Sequence, residues 1–209
     1  MRLPLLIVSA AALCAPALAQ ADHPLAERIE SDLGPSLLIE NEPREAVGIE
    51  ARMARLGVPG VSIAYVEGGE VVWTRAYGLA DVESGTAVTP ETRFQAASIS
   101  KPVAAMAALD LVEDGRLALD ADVNSVLASW RVPDTTLSAA APVTLRGLLT
   151  HTAGLTVHGF PGYEPGQDVP TTAGVLRGDG NTDPVRVDLT PRTQNRYSGG
   201  GYTVAQLMI

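Results

Sequence analysis

The chain has 209 residues, 46% hydrophobic and 19% charged, with a formal net charge of −9. This is a globular composition, sufficient for one domain or two small ones. The acidic balance argues against a nucleic-acid partner, which needs a basic stripe, and 4% aromatic residues leave little surface for stacking single strands.

Met1-Arg2 supplies a short positive segment, Leu3 to Pro16 is apolar, and Ala17-Leu18-Ala19 has the small-x-small pattern of a signal-peptidase site. Residues 1–19 therefore read as a signal peptide, and the protein is expected to be exported, to a periplasm or beyond. The apolar run is at the short end for spanning a bilayer, so no stable membrane anchor is expected once the signal is cleaved. Cys14 lies inside this segment and follows Leu13, where a lipoprotein signal requires a small residue. The mature chain then has no cysteine, which excludes disulfides, thiol catalysis and cysteine-based metal sites from it.

Residues 20–41 mix polar and apolar side chains around a Gly34-Pro35 break and read as a leader arm. Residues 42–209 read as the domain. Glu42 to Leu56 has near-helical apolar spacing, with Gly57 and Pro59 to end it. Val61 to Val66 and Val71 to Tyr77 are β-rich runs separated by Glu67-Gly68-Gly69-Glu70, an antiparallel hairpin pattern. Glu83 to Glu91 reads as a surface loop.

Ser98 to Glu113 predicts a helix with Ser98 as N-cap, Pro102 in the first turn and Gly115 at its end. Its small residues suit a buried central helix. Thr144 to Thr150 predicts a short helix, ended by His151-Thr152-Ala153-Gly154. Residues 159–193 are rich in Pro, Gly and Asp and read as a long ordered loop. Arg196 to Tyr202 reads as a glycine-flanked turn before a helix, Thr203 to Ile209. An apolar helix ending in this way leads to the expectation that the chain is a fragment or a truncated reading frame.

Lys101 is the only lysine among 15 basic residues. Arginine serves generic charge roles but stays protonated, whereas a lysine can be tuned into a proton acceptor. Lys101 follows Ser98 by one helical turn, on the same face. In neutral form it would take the Ser98 proton and activate the oxygen as a nucleophile. The Ser98 amide, at a helix start, would help hold an oxyanion. A group that delivers the proton to the leaving atom is also required, and Tyr197, His151 and His158 are the candidates.

Phe94-Gln95-Ala96-Ala97-Ser98-Ile99-Ser100-Lys101-Pro102 resembles the Ser-x-x-Lys motif of the serine β-lactamase and penicillin-binding-protein superfamily. Leu148-Leu149-Thr150-His151-Thr152-Ala153-Gly154-Leu155 is similar to a downstream stretch of its class C and esterase-like branch. Tyr197-Ser198-Gly199 resembles that branch's Tyr-x-Asn element. Ser-x-x-Lys alone is a weak signal; three blocks in order, with the hairpin, extend the resemblance over about residues 45 to 209.

The resemblance implies an α/β plus α fold of β-lactamase type: an antiparallel sheet flanked by helices, with an all-α subdomain and the site between them. It implies Ser98 as acyl-accepting nucleophile, Lys101 as activating amine and Tyr197 as proton shuttle with a pKa lowered by Lys101. Gly199 would lie at the substrate, where β-lactamases of the branch have an amide-binding asparagine. That departure favours small-molecule esters, then D-residue peptides or small amides, over β-lactams. The family's third motif, Lys/His-x-Gly, with the C-terminal strands and closing helix, is missing from this chain. The rival reading is therefore an inactive truncated member of the fold, or one kept for binding.

Other patterns carry less. His151 reads first as a capping or packing residue. His151 and His158 are poorly spaced for a metal, and no metal or cofactor is expected. Gly199-Gly200-Gly201 lacks the residues of a phosphate loop, no Gly-x-Ser-x-Gly elbow occurs, and Asp179, Asp183 and Asp188 fall in a polar, solvated loop.

Overall fold

The computed structural model describes residues 23–209, except 35, 36, 38, 42, 44 and 45. The signal-peptide reading of residues 1–19 and the start of the leader arm lie outside the described residues. The chain divides into two compact units, one up to Phe94 and one from Gln95 onward.

The first unit is built on a hairpin. Strand β1 (Gly60–Glu67) pairs antiparallel with β2 (Glu70–Asp81), and the register closes at Glu67 opposite Glu70. Gly68 and Gly69 both take positive φ, 60° and 86°, the requirement of a two-residue turn that matches strand twist. Tyr65 stands opposite Trp73 in the ladder, and their rings stack at 5.7 Å. A short strand β3 (Thr86–Ala87) extends the sheet within the stretch expected to be loop.

Helix α1 (Pro24–Ser31) lies within the expected arm, with Pro24 at its start and the His23 side chain accepting the Leu25 N–H. Its Ala26 is fully buried. Glu30 reaches β2, 3.4 Å from the Arg75 guanidinium and 3.2 Å from the Tyr77 hydroxyl. Helix α2 (Ile49–Leu56) is shorter than predicted and ends on left-handed Gly57 as expected.

The second unit is mainly helical: α3 (Ser100–Glu113), α4 (Thr136–Ala140), α5 (Leu145–Leu149), α6 (Thr172–Arg177) and α7 (Gly199–Met208). Its core joins Ala108, Leu145, Leu148, Leu176, Val185 and Val204, all essentially inaccessible to solvent. Helix α5 starts on Thr144, whose side chain accepts the Gly147 N–H at 3.1 Å.

Three expectations are corrected here. Ser98 is not the N-cap of the long helix: it sits in a 3-10 turn, Ala97–Ile99, and its side chain makes no capping bond. Helix α3 is not a buried central helix: Ala108 is covered, while Val103 and Met106 are 69% and 71% exposed. Small and apolar residues occupy all sides of α3, so composition did not distinguish the side facing α7 from the rest. The three glycines are not a turn before α7 but its first turn, capped by Ser198, which accepts the Gly201 N–H at 2.9 Å. The 159–193 stretch includes α6, and Val187 within it pairs as a bridge with Leu155 before it.

Candidate active site

The second unit brings the sequence-predicted trio together. Ser98 Oγ lies 2.9 Å from Lys101 Nζ and 2.7 Å from the Tyr197 hydroxyl, which is 99 residues away in sequence. The first contact follows from one helical turn. Lys101 Nζ donates to Ser98 Oγ, so the serine proton is free to point at Tyr197. Ala97, immediately before Ser98, holds φ at 44°, a region that non-glycine residues rarely enter. That turn leaves the Ser98 hydroxyl exposed and unspent on capping.

The position of Tyr197 comes from the turn after α5. Segment 192–198 lies along segment 150–154 through backbone bonds: Arg192 N–H to Thr152 O at 2.8 Å and Arg196 N–H to His151 O at 2.8 Å. The Asn195 side chain donates to Thr150 O at 2.8 Å, and the Arg196 guanidinium donates to Gly154 O and pairs with Asp188. Beyond Tyr197, Gly199 and Gly200 donate to the carbonyls of His158 and Val157. The approach is too close for side chains: a Cβ on Gly200 would stand 2.7 Å from Val185 Cγ2 and 3.0 Å from Thr156 O.

Electrostatics act on the phenol. The Lys101 ammonium, foremost, and the Ser98 hydroxyl hold the Tyr197 pKa below its ordinary 10, against a smaller opposing effect of burial. The ammonium lies 4.9 Å from the Tyr197 ring centroid and 5.4 Å from that of Tyr202. Burial pushes the neighbouring Tyr202 phenol up.

A cavity of about 550 Å³ opens on this group, lined by Ser98, Lys101, His158, Phe160, Gly199 and Tyr202 among others. Gly199 therefore faces the space beside Ser98, but its Cβ position is 3.0 Å from His158 O, so an asparagine there would need the 158–160 segment to move. Another cavity, about 590 Å³, lies around Asn181, Asp183 and Arg186 and contains none of the trio. Among the described residues, no three metal-ligating side chains cluster.

His151 and His158, the other proton-shuttle candidates, are brought near Ser98 but not onto it. Their rings contact Tyr197 at 4.4 Å and 4.9 Å, and neither bonds Ser98. The sequence had pointed to His151 as a packing residue but not to what it packs against.

Comparison with known proteins shows the family. Residues 48–209 match the family model described as Beta-lactamase. Over 87 residues the chain is 46% identical to esterase EstB of Burkholderia gladioli, covering 42% of this chain and 22% of the esterase. An octameric penicillin-binding protein homologue from Pyrococcus abyssi superposes with a TM-score of 0.60 at 27% identity, over 77% of this chain and 36% of that one. D-amino acid amidase from Ochrobactrum anthropi superposes with a TM-score of 0.58 at 27% identity, over 76% of this chain and 42% of the amidase. The chain thus spans well under half the length of each of these relatives.

Proposed function

Because the chain belongs to the beta-lactamase family, a fold whose relatives here include an esterase and an amidase, we propose that it carries the acylating centre of a serine hydrolase. The single observation that carries this reading is Ser98 Oγ held between an ammonium at 2.9 Å and a phenol at 2.7 Å.

The steps follow from that geometry. Tyr197, with its phenolate favoured by Lys101, accepts the proton of Ser98 Oγ. The oxygen attacks the substrate carbonyl carbon, and the carbonyl electrons move onto oxygen. The Ser98 N–H, within the 3-10 turn, is a donor for that oxyanion. Collapse breaks the bond to the leaving group, which takes the proton from the Tyr197 hydroxyl. An ester on Ser98 remains. Water then gives its proton to Tyr197 and attacks the ester; Ser98 leaves as the alcohol by recovering that proton. Lys101, whose Nζ donates to Ser98 Oγ at 2.9 Å, stabilises each anion formed beside it.

The substrates proposed are small-molecule esters first, then amides or peptides of D-residues, then β-lactams. The likeness to EstB and to D-amino acid amidase supports the first two, and the absence of an amide side chain at Gly199 weighs against the third. The signal-like pattern of residues 1–19 supports an exported protein.

The test is covalent. Protein from its natural source, treated with a fluorophosphonate, is expected to gain one adduct in its intact mass, and Ser98→Ala to gain none. An unlabelled wild type favours a binding-only member of the fold; an adduct that persists in Ser98→Ala refutes the assignment of the nucleophile.

A further inference from the structure

Tyr197 is held on both sides by one residue. The carbonyl of His151 accepts the N–H of Arg196 at 2.8 Å, and its Nδ1 accepts the N–H of Ser198 at 3.2 Å. Between those two bonds the imidazole lies against the Tyr197 ring, 4.4 Å between centroids at 32°. His151 thus contacts three consecutive residues, with the phenol in the middle. Its own backbone is in the left-handed region, φ 58°, a conformation in which a residue with a Cβ persists only when its surroundings enforce it.

We propose that neutral His151 is the positioning residue of Tyr197, and that protonating it releases the phenol from Ser98; the inference rests on the reading of Tyr197 as the proton acceptor. The bond geometry fixes its chemical state. A backbone N–H must meet a lone pair, so Nδ1 is unprotonated and the ring proton is on Nε2. A proton added at Nδ1 would face the Ser198 N–H head-on. It would break that bond and place a cation against the ring it now supports.

The surroundings favour the neutral form. Burial first, then the Lys101 ammonium and His158, hold the His151 pKa below its ordinary 6.5. The titratable and charged groups around it are Lys101 on α3, His158 on the following segment, Tyr197 before α7, Tyr202 within α7, and the nearby Arg196–Asp188 pair. The Tyr202 ring is 5.2 Å away, and its hydroxyl donates to Leu149 O at 3.1 Å.

His151→Asn and His151→Ala separate position from titration. Asparagine tolerates φ above zero and carries an acceptor oxygen near the place of Nδ1, but it does not titrate. Fluorophosphonate labelling rates are measured against pH. In the wild type, the logarithm of the rate should fall with slope one below the Tyr197 pKa. It should steepen to slope two once His151 protonates, at a pH below the ordinary histidine range. His151→Asn should label within a few-fold of wild type at pH 8 and keep slope one to low pH. His151→Ala, lacking the acceptor, should be about 100-fold slower at every pH, the effect of a phenol misplaced by about 1 Å.

A second readout does not depend on activity. A ring-nitrogen correlation spectrum should show His151, identified by its loss in His151→Asn, as the Nε2–H tautomer at pH 8. An Nδ1–H tautomer, or a steepened limb that survives in His151→Asn, overturns the proposal. If Ser98→Ala labels as wild type does, the hydrolase reading has failed instead. If Ser98→Ala is silent and both His151 variants match wild type, only the positioning role has failed.

Discussion

Gly200 and Gly201 are adjacent in the first turn of α7, yet alanine should have opposite effects at the two positions. At Gly200 the new Cβ would lie 2.7 Å from Val185 Cγ2, 3.0 Å from Thr156 O and 3.2 Å from Val157 Cβ. Val185 is fully buried, Thr156 O is backbone, and Val157 already holds φ at 62°, so none of the three yields easily. Such overpacking costs about 1–3 kcal/mol, offset by up to about 1 kcal/mol of helix propensity. At Gly201 the nearest atoms are 3.5 Å or more away, an ordinary contact, so only the favourable part remains. Calorimetry should therefore place Tm of Gly200→Ala below wild type, at about 2–4 °C per kcal/mol, and Tm of Gly201→Ala at or above it. Labelling adds the functional half. Relief of the clash moves the start of α7 away from segment 156–158, and Tyr197 moves with it, so Gly200→Ala should label up to about 100-fold more slowly. Equal Tm values for the two variants, or an unslowed Gly200→Ala, would refute this account of why the turn is glycine.

Tyr197→Phe removes the 2.7 Å hydrogen bond to Ser98 without disturbing a buried group, so the fold should persist while labelling falls by about 100- to 10,000-fold. In the wild type the labelling rate should rise with pH through the lowered phenol pKa and level off below pH 10; in Tyr197→Phe that limb should be flat, as a stopped-flow pH series would show. In the first unit, burial and then Glu30 push the Tyr77 phenol up to about 12, so the neutral form is favoured on folding. The stability this gives is present below pH 10, the ordinary tyrosine value, and is lost as pH rises through about 12; ultraviolet titration of Glu30→Gln should bring the Tyr77 transition back toward 10.

The parts of the molecule legible in the sequence are those set by nearest neighbours along the chain. The hairpin needed only two β-rich runs and a Gly68-Gly69 turn. Ser98 and Lys101 needed only one helical turn. Their neighbour Tyr197 could be named by resemblance, but its approach depends on segment 192–198 lying along 150–154, a pairing between irregular stretches with no periodicity to read. Helix α1 was hidden for a related reason. Its eight residues bury a single position, Ala26, and its anchor is an ion pair from Glu30 to the buried Arg75. The burial of α3 was misjudged because apolar residues occur on every side of it.

Backbone conformation adds an argument for the site that owes nothing to resemblance. Among the described residues, five non-glycine positions have positive φ: Asn41, Ala97, His151, Val157 and Arg192. Ala97 precedes Ser98. His151 holds Tyr197 on both sides. Val157 accepts from Gly200 at the start of α7, and Arg192 begins the segment that delivers the phenol. Such conformations cost on the order of 1–3 kcal/mol each and relax unless the surroundings enforce them. Packing alone gives no reason to collect four of them around one exposed serine. A requirement to bring a hydroxyl, an ammonium and a phenol within hydrogen-bonding reach, from segments 99 residues apart, does.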